Sequence, residues 1–154
     1  MKPGLLITAF LVTVYATSGH AMSPEAEAGK ALYPACNVCH DQALKPPLGP
    51  PMWGVQRLYK QEAGDKEAFV RQIVDFVKAP GLEKAIHKEA VEQLGLMPPM
   101  PLPDDLLKQI VTYIWEERFP PPCDHWRVAV KRAEERGDAE HAAKDRRQLQ
   151  RYCQ

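Results

Sequence analysis

An excess of charge of either sign is missing from this sequence: 20 Lys and Arg stand against 20 Asp and Glu, so the formal net charge is zero. A chain that wraps nucleic acid shows a strong basic excess, and that class of partner is not expected here. Glycine is scarce, at 9 of 154 residues, and aromatic residues make up 8%. No alternation of apolar and polar residues marks a strand. Beyond residue 21 no apolar stretch approaches the roughly 20 residues that a membrane span needs. Four cysteines are too few for a dense disulfide scaffold. Proline runs the other way. Its 15 residues predict stiff, irregular connections and leave little room for a large sheet. With 45% apolar and 26% charged residues, the composition is that of one globular domain with an appendage.

The amino-terminal stretch has the layout of a secretory signal peptide. Lys2 precedes an apolar run from Leu5 to Ala16, and Gly19 and Ala21 place small side chains before a possible cut. Residues 1–21 are therefore expected to be removed after Ala21, with the rest exported to the oxidising periplasm.

The exported part reads as all-α. Ser23-Pro24-Glu25 supplies a cap, a proline at the first helical position and an acid in the first turn, predicting a helix to about Tyr33. Ala43 to Pro51 cannot hold a helix, because its prolines lack donors. A second helix is expected from near Asp65, with Phe69, Ile73, Phe76 and Val77 on one stripe. Leu82 to Leu94 is weakly helical and ends at Gly95, and Met97 to Pro103 is extended. Asp104 and Asp105 open a final strong helix whose Leu106, Leu107, Ile110, Val111 and Ile114 face a core, and Pro120, Pro121 and Pro122 end it.

The sharpest chemical signal is Cys36-Asn37-Val38-Cys39-His40. Two thiols three positions apart can add across the two vinyl groups of one haem, and the next-door imidazole can then ligate the iron. A dithiol redox site would leave the histidine unexplained and would sit in a strand–helix unit. A zinc site needs further ligands at regular spacing, and none follows nearby.

Together with the residues around it, this motif resembles the monohaem class I c-type cytochromes over about Pro24 to Phe119. Gly29, Leu32 and Tyr33 resemble that family's amino-terminal helix, and Gly49-Pro50-Pro51-Met52-Trp53-Gly54 its Gly-Pro loop. Met97-Pro98-Pro99 resembles its axial-methionine segment, and Tyr113 the aromatic that packs near Gly29. The resemblance implies one covalent haem c with iron held by His40 and Met97, and a Pro50 carbonyl that accepts from His40 and fixes its tautomer. Met100 shares the same stiff stretch and competes with Met97; only the family alignment separates them. Met52 is expected to pack in the haem pocket. Among the other histidines, His87 is expected on a solvated helical face, and His125 and His141 lie in the tail. Pro103 departs from the family, which usually places a capping hydroxyl there.

Residues 120–154 carry the second cysteine pair. Cys123 and Cys153 are 30 apart, and Gly137 and Asp138 at the midpoint suit a helix end and the next helix's cap. Folding back there brings the cysteines level, with Trp126, Val130 and Ala133 facing Ala139, Ala142, Ala143 and Leu149. A disulfide closing this loop contributes about 3 to 4 kcal/mol in the chain-entropy model. From Pro24 to Phe119 the net charge is −3 and from Pro120 onward it is +2, a mild dipole that could orient a partner.

The expectation is a leader over 1–21, a haem domain over 22–119 and a helical hairpin over 120–154. The implied activity is electron transfer between redox proteins, with no enzyme chemistry of its own. A haem subunit of a larger dehydrogenase or oxidase remains as a second class, and a haem sensor or peroxidase-like enzyme as a third.

Overall fold

Ser23 starts the first helix as its chemistry allows. Its hydroxyl accepts from the Ala26 amide at 3.2 Å, while Pro24 sits where no amide donor is needed. In the computed structural model, which describes residues 21–153, all the regular structure is helical. The expected leader, apart from Ala21 itself, lies outside the described residues. The helices are α1 (Pro24–Leu32), α2 (Pro34–His40), α3 (Met52–Ala63), α4 (Lys66–Lys78), α5 (Lys88–Leu94), α6 (Asp104–Glu116), α7 (Cys123–Glu135) and α8 (Ala139–Tyr152). None of them is long and apolar enough to cross a membrane.

The core forms where α1 and α4 meet α6, with α3 against α4. Phe69, Ile73 and Val74 of α4 are buried with Leu107, Ile110, Val111 and Ile114 of α6. Each such side chain contributes about 1.5 to 3 kcal/mol when fully buried. The approach of α1 to α6 depends on Gly29: a Cβ there would lie 1.8 Å from the Gln109 carbonyl oxygen. A second tie joins the ends of these helices. Glu116 accepts from the Ser23 amide at 2.7 Å, from its hydroxyl at 2.8 Å and from Lys66 at 2.9 Å. Burial opposes ionisation of Glu116, but these donors outweigh it and hold the carboxyl down at about 2.

Several expectations need correction. Phe76, Val77 and Leu106, placed on buried stripes by periodicity, are only partly buried or at the core margin. The expected helix over 82–94 shrinks to α5, because Gly81 to Ile86 folds into turns closed by the Lys84 and Ala85 amides on the Gly81 carbonyl. The last core helix stops at Glu116, before the prolines, where Glu117 turns extended. Ala139 is exposed rather than part of the hairpin face. Two helices were not anticipated at all, α2 and α3. The buried side of α3 is Met52, Gln56 and Tyr59, so its stripe is interrupted by a polar residue. That residue is used: the Gln56 amide donates to the carbonyls of Ile114 and Glu117 at the end of α6, the latter at 2.7 Å.

The carboxy-terminal hairpin turns as expected. Gly137 takes a φ of +72°, and Asp138 caps α8 by accepting from the His141 amide at 3.1 Å. Helices α7 and α8 pack chiefly on each other.

Candidate functional site

Pro34 begins α2 directly after α1, and seven residues carry both thiols and the imidazole of the motif. Cys36 packs against the core and Cys39 is half-buried, while Val38 between them is 68% exposed. Both cysteines are free thiols. Burial pushes the Cys36 thiol up, the opposite of what a reactive redox thiolate requires.

His40 closes the helix, and the proline-rich chain from Asp41 to Pro51 returns to it. Nδ1 of His40 lies 2.7 Å from the Pro50 carbonyl oxygen. A carbonyl can only accept, so Nδ1 carries the proton and the lone pair resides on Nε2. Burial lowers the imidazole's pKa, with the Pro50 bond working against it, so the neutral ring is favoured. Gly49 permits this closure: a Cβ there would lie 3.0 Å from the Cys39 carbonyl oxygen and 3.2 Å from His40 Nδ1. Two unbonded thiols and an imidazole with an oriented Nε2 are the donor set that a covalent haem requires of a chain. A porphyrin brings four nitrogens of its own, so it asks for few protein ligands. Among the described residues no cluster of three or more His, Cys, Asp or Glu side chains is arranged to hold a bare metal ion.

The remaining residues fall into place unevenly. The Tyr113 ring meets that of Tyr33, one helical turn beyond Gly29, tilted at 5.1 Å, and Phe119 joins them at 5.5 Å from Tyr33. Burial lifts the Tyr33 phenol well above its usual range, with charge on Cys36 adding to it. Met52 is buried in the core. On the α5–α6 connection, Met100 donates its amide to Val77 at 2.8 Å and packs against the core. Met97 is half-buried on the same connection and is not part of that packing. A cavity of about 650 Å³ touches His40, Tyr33, Met52 and Phe119, but neither Cys36, Cys39 nor Met97 lines it.

Cys123 and Cys153 are at bonding distance, with sulfurs 2.11 Å apart and Cα atoms 5.8 Å apart. Two of the hairpin's meetings with the rest of the chain have no signal in the sequence pattern. At one, Trp53 contacts Trp126 and Tyr152. At the other, Glu89 of α5 accepts from His141 Nε2 at 2.9 Å and pairs with Lys144. His141 also faces Asp138 at 3.0 Å through Nδ1, and the bond to Glu89, followed by the Asp138 charge, raises its pKa. His87 is not the solvated histidine expected. It stands half-buried at the residue before α5, without a side-chain capping bond, and burial lowers its pKa against the pull of Glu89. The contacts of Trp53 with Trp126 and Tyr152, and of Glu89 with His141 and Lys144, join residues far apart in the chain, which no local pattern reveals.

No family model matches this sequence, and no curated protein or solved structure matches it either.

Proposed function

We propose that this chain is a class I type c cytochrome, exported to the periplasm, that carries single electrons between redox proteins. The single observation that carries this reading is the His40 Nδ1 bond to Pro50, beside two free thiols on the same short helix. Cys36 and Cys39 would hold the haem c through thioether bonds, and His40 Nε2 and Met97 would be the side chains that ligate its iron. Bound there, the haem supplies an iron that alternates between ferrous and ferric states. Pro50 keeps the imidazole in one tautomer and one orientation, and Gly49 leaves room for that approach. Packing of α1, α4 and α6 supplies a rigid, water-poor support behind α2. Between the two methionines, Met97 is favoured because the Met100 side chain is engaged by the core.

Expression of the full chain in a host competent for haem attachment tests this. The purified protein is expected to be coloured, to carry the mass of one haem, and to lose it when both Cys36→Ser and Cys39→Ser are introduced. Met97→Ala is expected to abolish the thioether-to-iron absorption band, with Met100→Ala leaving it in place. Colourless protein with thiols 36 and 39 free sinks the reading.

A further inference from the structure

We propose that the disulfide-closed α7–α8 hairpin is a positioning element for His40: by gripping Trp53, it holds the Pro50 carbonyl against the imidazole. Trp126 lies three residues after Cys123, and Tyr152 immediately precedes Cys153, so one covalent bond sets two aromatic rings near each other, 6.1 Å apart. Both meet Trp53 edge-on, at 5.3 Å from Trp126 and 5.0 Å from Tyr152. Arg57, one turn further along α3, lies 5.4 Å over Trp53 and 5.2 Å over Tyr152 and closes the cluster.

Trp53 stands in the first turn of α3, and Pro50 and Pro51 lead directly into it. Prolines fix φ, so this lead-in is stiff and a hold on Trp53 is passed to the Pro50 carbonyl. Pro50, Trp53, Pro122 and Trp126 line one cleft of about 420 Å³, which puts the hairpin opposite the loop it steadies. The buried core contains no hairpin residue, so the grip is not needed to complete that core. Glu89 provides a separate hold on α8 through His141 and Lys144, but from α5 rather than from the Pro50 loop.

The effect at iron rests on the haem reading; the effect on the imidazole does not. A hydrogen bond opens as often as the loop that carries it, so solvent exchange of the His40 Nδ1 proton reports the grip. In the full chain, NMR is expected to show this exchange about tenfold faster in Trp126→Ala and restored in Trp126→Phe. Glu89→Gln, which loosens only the other hold, is expected to leave it at the wild-type rate. In haem-loaded protein the reduction potential is expected to rise in Trp126→Ala, because a weaker Nδ1 bond makes the ligand less donating, and to return in Trp126→Phe. Wild-type exchange in Trp126→Ala, equal acceleration in Glu89→Gln, or unfolding of the core with Trp126→Ala overturns the proposal. Protein isolated without haem removes the potential measurement and the haem reading, yet the exchange experiment still decides this one.

Discussion

Apolar side chains from four helices close around Phe69 and Ile110 in the core, whereas the hairpin buries Trp126, Ala133, Ala142 and little else. The core is held by area removed from water, with Gly29 allowing α1 and α6 to approach. The hairpin's face is too thin for that. It relies on a covalent closure, a three-ring aromatic contact and ion pairs to α5. Two helices of thirteen and fourteen residues can thus be kept in place by a few strong local ties. Such ties can be cut one at a time, which a cooperative core does not allow.

The sharpest way to break the comparison is to remove the covalent tie. Replacing Cys123 and Cys153 by serine is expected to destabilise the hairpin by about 3 to 4 kcal/mol. Amide exchange should then show α7 and α8 opening while α6 keeps its protection; simultaneous loss in both regions would make them one cooperative unit. On the core side, Gly29→Ala forces a Cβ into the Gln109 backbone and is expected to cost about 3 kcal/mol. Denaturant titration should locate that loss in the core transition, with the hairpin's exchange unchanged. A smaller effect comes from Glu116. Its folded pKa of about 2 lies below the ordinary 4.5, so its contribution is complete above about pH 4.5 and disappears as pH falls through 2. Glu116→Gln is expected to cost about 1 to 2 kcal/mol near neutrality, because the site is partly solvated. The same substitution should flatten the acid limb of the stability profile; an unchanged limb would mean that the Ser23 and Lys66 donors contribute nothing.

Legibility followed the same division. The stripes of α4 and α6 repeat apolar residues at helical spacing, and that spacing puts Phe69, Ile73, Leu107 and Ile110 inside, where they are buried. Helix α3 escaped because Gln56 occupies its buried face, where it serves the carbonyl ends of α6 instead of adding apolar area. Helix α2 escaped because seven residues are too few to express a period. At the candidate site, Cys36, Cys39 and His40 fall within five residues, so local order alone groups them. Pro50 entered through a resemblance, and its place beside His40 is a contact across the loop.

The chain's own order of residues determined the helical class, the thiol–thiol–imidazole grouping and the turn at Gly137 that levels Cys123 with Cys153. Those features depend on neighbours within a few turns, where backbone geometry leaves little choice. Tertiary structure alone decided that Ser23 meets Glu116 across 93 residues, that Trp53 receives Trp126 and Tyr152, and that Glu89 receives His141. Such meetings depend on the angles at which whole helices pack, which are set by the summed fit of many side chains.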